Sequence, residues 1–503
     1  MSLLSVDVVN EVSTGSGSDR VAEEALAPDG GPTIRAGGER RDPRRRRVRK
    51  VARRKRPQAA PGSGRFYSTM RSMILRTLIV TGGINALGLA NSILLSHWMG
   101  PVGRGEIAAA MLWPGLLIYL SSMGLIVSSM YFSSVPDSKP WVVLNNAILM
   151  GLLLSGIALP LAFIALPHLL KSQSAYVVSA SRAYLIVIPL SLISQFGMGI
   201  LQGRLRLVEL NWLRIIVPTG YLSGTIVLMA LGRLTLIHIL ILHMGLSVVA
   251  LVFTLALLMR AGIRPGVQFD AGLAKQMLTY GAKVHVGQVS GLANVSLDQV
   301  LMAAWLPPAY LGLYVVAVSS ASLSQMLSQA VQTVTMPGIA RESSDFERST
   351  LLKRVFRRYW LISLGIMLTM AAILPILIPV VFGRAFAPAI WPAEVLLLAS
   401  CFKGAEQVLG GGAGASGNPW LGSKASLVAL LITMGLLYAL LRRIGIMGAA
   451  IATAAAYLAE LTVVIYGLRR THSISPVSLF LFNFKDLQLA WQFTSLRKGG
   501  DRQ

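Results

Sequence analysis

Four charged residues lie where charge is expensive. Asp298, Lys403, Glu406 and Glu460 each interrupt a long run of apolar residues. At the centre of a bilayer-spanning helix each would cost about 2.5–3.5 kcal/mol, so each must face a partner or a water-filled cavity. Lys403 and Glu406 are three apart on one helix face, so they either pair with each other or serve separate ligands. Asp298 has no basic residue within a turn of its own helix. It either ties two helices together through a hydrogen bond or takes up and releases a proton or cation. With Glu406 and Glu460 it makes a set suited to coupling a conformational change to an ion. Arg76 and Lys283 stand near the inner ends of two apolar runs. They either snorkel to the interface or form a matched pair of cations at the mouth of a cleft. Gln325, Gln329 and Gln332 recur at spacings of four and three, a stripe that lines water or bonds a neighbouring helix.

Other chemistries lack their residues. The six histidines form no ligand spacing; His238 and His243 are five apart and point to different helix faces. The single Cys401 excludes a disulfide framework and a cysteine metal site. The run Gly410-Gly411-Gly412-Ala413-Gly414 has no Gly-Lys-Ser/Thr after it, so it is a flexible helix end and not a phosphate loop. No outer loop exceeds about ten residues, which leaves a membrane glycosyltransferase or ligase nowhere to carry its catalytic groups. These features point to a chain that is not an enzyme and needs no cofactor.

The elements that position those charges are membrane spans. Of 503 residues, 54% are hydrophobic and only 13% charged, a balance suited to an apolar solvent. Twelve apolar stretches, numbered here as spans 1 to 12, run over 74–96, 107–133, 141–166, 176–201, 212–231, 235–259, 284–305, 310–337, 359–382, 391–412, 424–441 and 447–468. Each is long enough to cross with some tilt, and each must be helical because lipid cannot satisfy a bare backbone. The fold class expected is an all-α polytopic membrane protein.

The net charge of +25 lies between apolar runs or in one tail, which marks topology and not nucleic-acid binding. Inner loops carry Lys139, Arg204, Arg206, Arg260, Arg264, Lys275, Arg341, Arg348 and Lys353 to Arg358, so both termini are expected in the cytoplasm. Arg442-Arg443, between spans 11 and 12, falls on the wrong side of that rule. Residues 1–65 hold 15 Lys/Arg against 8 Asp/Glu and few large apolar side chains, and are expected to be a disordered cytoplasmic tail. That tail suits the anionic inner leaflet, or it is simply topogenic, with Met70 or Met73 as an alternative start. The domains expected are a six-helix bundle over 66–259, an amphipathic linker over 260–283, a second bundle over 284–470 and an interfacial tail over 471–503.

The two halves open alike. At a constant offset of 207 positions Asn91 stands for Asp298, Trp98 for Trp305, Pro101 for Pro308, Gly105 for Gly312 and Arg76 for Lys283. This reads as an internal repeat, each half beginning with a hairpin of one design. The motifs Trp98-Met99-Gly100-Pro101-Val102-Gly103-Arg104-Gly105-Glu106, Leu297-Asp298-Gln299-Val300-Leu301, Gly312-Leu313-Tyr314, Gly383-Arg384-Ala385-Phe386-Ala387-Pro388-Ala389 and Ile444-Gly445-Ile446-Met447-Gly448-Ala449-Ala450 resemble one branch of a known superfamily. That branch is the polysaccharide-transport (Wzx-like) branch of the multidrug/oligosaccharidyl-lipid/polysaccharide exporters. The resemblance covers about Arg71 to Arg470.

It implies two six-helix bundles around a V-shaped central cleft that opens to one side at a time. It also implies a cargo of undecaprenyl-diphosphate-linked oligosaccharide moved from the inner to the outer leaflet of a bacterial inner membrane. On that reading Arg76, Lys283 and Lys403 serve the diphosphate and the glutamine stripe serves the sugars. The partners it implies are membrane lipid, the lipid-linked oligosaccharide and a polysaccharide polymerase or export complex. The rival within the superfamily is a cation-coupled multidrug exporter, which would favour acidic and aromatic groups over basic ones in its cleft. A lipid II flippase would bring two more spans.

Overall fold

Helix is the form that every long apolar run takes among the described residues. The computed structural model describes residues 63–135, 138–264, 266, 268–322, 345–415, 420–472 and 475–480; over 63–78 and at 345, 415, 471 and 472 only the backbone is described. Residues up to Ser72 form one unit, helical from Ser63, and Met73–Gln503 form the other. The basic tail over 1–62 and the three glutamines of span 8 lie outside the described residues.

Spans 1 and 2 share the helix Ser63–Ser121, which breaks at Gly100 with φ 65° and ψ −175°. A side chain is strained at that φ, so the turn needs glycine. Span 2 breaks again at Met123 and Gly124, both with positive φ, and resumes as Leu125–Ser134. Spans 3 to 6 are Pro140–Leu169, Ala175–Gly203, Leu207–Ala230 and Leu236–Arg260. Span 7 is Ala271–Trp305, and span 8 is described over Pro308–Ala321. Asp270 caps span 7, its carboxylate accepting the Leu273 N–H at 2.9 Å. The second part of the 260–283 linker is therefore an extension of span 7.

Span 9 is Asp345–Leu377, span 10 is Ile390–Ala415, and spans 11 and 12 share Trp420–His472, broken at Ile444 and Gly445. Beyond them the short helix Pro476–Phe480 sets Phe480 against Phe356 and Trp360, both at 5.6 Å.

Eight described helical stretches are long and apolar enough to cross a membrane. Two of them, Ile79–Ser121 and Trp420–Arg470, each hold a pair of spans. Span 7 falls short of that measure through its Asn, Gln, Lys and Asp residues, and span 8 through the length described. Large apolar side chains point outward, with Ile164 68% and Tyr438 72% exposed, which only a lipid surround makes favourable.

The two halves meet reciprocally. A Cβ on Gly105 would stand 1.8 Å from the Pro308 carbonyl oxygen, and one on Gly312 would stand 2.0 Å from the Pro101 carbonyl oxygen. Pro101 and Gly105 are the repeat mates of Pro308 and Gly312, so each hairpin presses the same two residues on the other, the geometry of a two-fold contact. Small residues are what let backbones approach this closely in lipid.

Spans 2 and 7 also meet at the opposite face, where Tyr131 stacks on Tyr280 with ring centroids 4.6 Å apart. There Asn146 of span 3 donates to the Asp270 carbonyl at 2.9 Å and accepts the Asp270 N–H at 3.1 Å. Asn145 accepts the Gly266 N–H at 2.8 Å and donates to the Gln268 carbonyl.

Candidate functional site

Span 10 places Lys403 and Glu406 one turn apart, and span 12 brings Glu460 to the same point. Lys403 Nζ lies 2.9 Å from Glu406 Oε2 and 2.7 Å from Glu460 Oε2. Glu460 is fully buried. Its second oxygen accepts the Ser426 hydroxyl of span 11 at 2.6 Å, and Asn294 of span 7 donates to the Ser426 carbonyl at 2.9 Å. The Tyr457 ring lies below Lys403, 5.5 Å from Nζ to centroid. Helices 7, 10, 11 and 12 thus converge on one ammonium. Two carboxylates against one ammonium leave a deficit of one positive charge when all three are ionised. A charge left uncompensated is costly in lipid.

Asp298 is buried on the same span as Asn294, one turn further along. The Tyr314 hydroxyl of span 8 donates to its Oδ2, and the Gln299 N–H donates to its Oδ1 at 2.7 Å. Tyr314 has Thr453 of span 12 as a further side-chain partner. In the first half the repeat mate Asn91 has Tyr221 of span 5 as its partner. Arg104 lies beside them, its Nη2 donating to Ser92 Oγ at 3.4 Å while Nε is buried without a partner. The Tyr184 hydroxyl and His243 Nδ1 are 2.6 Å apart in the same bundle.

The structure therefore brings Lys403, Glu406 and Glu460 into one cluster and places Asp298 in a neighbouring one. Lys283 is exposed on span 7, away from both clusters. Arg76 lies in the stretch where only the backbone is described, and Gln325, Gln329 and Gln332 lie outside the described residues. Among the described residues no group of three or more His, Cys, Asp or Glu could hold a metal ion.

Sequence reasoning passed over Tyr314 and Ser426 as partners. Tyr314 was legible: the turn at Leu306-Pro307 lies almost midway between it and Asp298, so an antiparallel hairpin sets them side by side. Ser426 carried no such signal. Arg214, inside span 5, was also passed over; its Nη2 donates to Thr81 Oγ1 of span 1 at 3.2 Å. The misplaced Arg442 has a local reason to sit where it does, since its guanidinium lies 4.6 Å from the centre of the Trp305 ring.

Residues 72–343 match the family model described as polysaccharide biosynthesis protein. The chain belongs to that family. The matched segment contains Asp298, Arg104 and Arg214 and ends before the Lys403 cluster. Among curated proteins, the "probable low-salt glycan biosynthesis flippase Agl15" of Haloferax volcanii is 24% identical over 330 residues. That alignment covers 63% of this chain and 66% of the relative, just under two thirds of its length. Among solved structures, the lipid II flippase MurJ in an inward closed conformation superposes with a TM-score of 0.69 at 15% identity, covering 84% of this chain and 93% of that one. An inward-facing multidrug resistance MATE family transporter of the MOP superfamily gives 0.62 at 15% identity, covering 79% and 98%. At these identities the likeness is one of fold. This member of the polysaccharide biosynthesis family is thus an all-α, multi-pass membrane protein with the fold of those transporters.

Proposed function

We propose that this chain is a flippase that moves undecaprenyl-diphosphate-linked oligosaccharide from the inner to the outer leaflet of a bacterial inner membrane by alternating access. The observation that carries the reading is membership of the polysaccharide biosynthesis family on a transporter fold. A lipid-linked glycan needs a path that admits a polar headgroup while its polyprenyl tail stays in lipid, and two bundles meeting at a glycine seam can supply one. Arg76, Lys283 and Lys403 are the cations proposed to meet the diphosphate, and Gln325, Gln329 and Gln332 the groups proposed to meet the sugars. In the conformation described here Lys403 is engaged by both glutamates, so diphosphate binding there requires it to exchange partners. Asp298, Glu406 and Glu460 are proposed as the coupling residues, and both termini as cytoplasmic.

A second reading, a cation-coupled multidrug exporter, is favoured by one observation: the buried centre of the second half carries two carboxylates to one ammonium. Removing the gene from its host separates the two. The flippase reading expects lipid-linked oligosaccharide to accumulate facing the cytoplasm while drug tolerance is unchanged. Unchanged surface glycan with loss of drug tolerance would establish the exporter instead. Cysteines at Pro308 and Arg264 test the orientation, since native Cys401 is buried and silent. Labelling from outside at Arg264 but not at Pro308 would invert it.

A further inference from the structure

Span 7 ends in a way that leaves two carbonyls without their helical partners. In a helix the Ala303 and Ala304 oxygens would accept the N–H groups four residues on, but those residues are Pro307 and Pro308, which have none. The first half supplies both donors. From the turn 170–174 between spans 3 and 4, Ser172 Oγ donates to the Ala304 carbonyl at 2.7 Å and Gln173 Nε2 to the Ala303 carbonyl at 3.0 Å. Gln173 Nε2 also donates to the Leu306 carbonyl at 3.4 Å, while its own Oε1 is buried without a partner. The Gln173 amide thus finds its bonds only toward span 7. Ala303 is fully buried, so its carbonyl would go unsatisfied if it lost Gln173 while this face stayed closed.

The clasp has no twin across the two-fold. Counting 207 positions on, Ser172 and Gln173 become Pro379 and Val380, neither with a side-chain donor. The turn after span 9 does approach the end of span 1: a Cβ on Gly383 would stand 3.9 Å from His97 Nδ1, and His97 is the repeat mate of Ala304. Among the described residues no hydrogen bond joins that turn to span 1.

We infer that Ser172 and Gln173 form the lock of the face that carries the glycine seam, outer in the proposed orientation. Their clasp ties the first half to the end of span 7 and must be undone before the cleft can open on that side. The inference rests on the alternating-access reading and adds to it the residues that hold one face shut. The glycine seam sets how closely the hairpins approach, whereas the clasp supplies directional bonds that only the closed face can make.

The test uses the full chain in nanodiscs, with spin labels at Arg233 and Arg443, both exposed, one on each half. Pulsed resonance reads the distance between them. Gln173→Glu keeps the size of the side chain but sets an acceptor against two carbonyls. It is expected to raise the ratio of open to closed populations roughly 5- to 150-fold, the effect of stranding one buried carbonyl. Gln173→Ala should act alike. A distance distribution unchanged in both variants would overturn the lock.

Should those variants not accumulate, cysteines placed by Ser172→Cys and Ala304→Cys can be joined by a reducible thiol crosslinker, which holds the clasp shut. Native Cys401 is buried and does not compete. Glycan export is expected to stop when the crosslink forms and to return on reduction. Full export with the crosslink in place would make the clasp a fixed tie, overturning the lock while the flippase reading stood. The distance shift in a chain whose deletion spares export would uphold the lock and fail the flippase reading instead.

Discussion

Replacing Gly105 with alanine should pry the two halves apart. The added Cβ would stand 1.8 Å from the Pro308 carbonyl oxygen, whereas real Cβ contacts stay beyond 3.0 Å. The atom it meets is backbone, so no side chain can swing away, and spans 2 and 8 must separate by about 1.2 Å, the difference between those distances. Overpacking of this kind costs about 1–3 kcal/mol, which amounts to roughly 5- to 150-fold in the population of the closed seam. Gly312→Ala should act alike, because its Cβ meets the Pro101 carbonyl in the mirrored position. The double variant should cost less than the sum, since one separation relieves both clashes. Spin labels at Val102 and Ala309, repeat mates flanking the seam, report the spacing by pulsed resonance. Each alanine variant should shift weight to longer distances. An unchanged distance distribution together with an unchanged thermal midpoint would refute the seam as a tight two-fold contact.

Lys403→Ala leaves Glu406 and Glu460 facing each other without their cation, and about 3–5 kcal/mol of stability should go with it. Thermal unfolding in detergent measures that loss, and adding Glu460→Gln to Lys403→Ala should restore part of it. Asp298→Asn keeps an acceptor for the Tyr314 hydroxyl while deleting the charge. Glycan export by it should lose its dependence on external pH, and a profile identical to wild type would leave Asp298 as a purely structural tie. Asn146→Ala removes both hydrogen bonds to Asp270, at about 1–3 kcal/mol locally. Amide exchange over 266–270 should quicken well before the helices unfold.

Much of the candidate site was legible, but unevenly. Lys403 and Glu406 had to share a face because they are three apart on one helix. The repeat register aligned Pro101 with Pro308 and Gly105 with Gly312, but that the two hairpins press on each other, Gly105 on Pro308 and Gly312 on Pro101, came only from the structure. What could not be read was which distant helix supplies the next partner. Glu460 is 57 positions from Lys403, and nothing in either span's periodicity says that their polar faces turn toward each other. Arg214 escaped notice for a related reason: its partner Thr81 is 133 positions away, and nothing in the run around Arg214 points to it. Ala271 to Lys283, expected within the linker, is continuous in helix with span 7, and only the structure shows Asp270 capping that helix and tied to Asn146.

By itself the sequence determined that the chain is helical and multi-pass, and that its halves repeat. Those follow from local rules: apolar runs must satisfy their own backbone in lipid, and a constant offset preserves a hairpin's design. The tertiary structure alone decided where the charges end up, with Lys403 between two glutamates, Asp298 on Tyr314, Arg442 on Trp305 and Arg214 on Thr81. Such partnerships depend on the rotation and depth of one packed helix against another, set by close backbone contacts such as Gly105 on Pro308 and not by the residues adjacent in the chain.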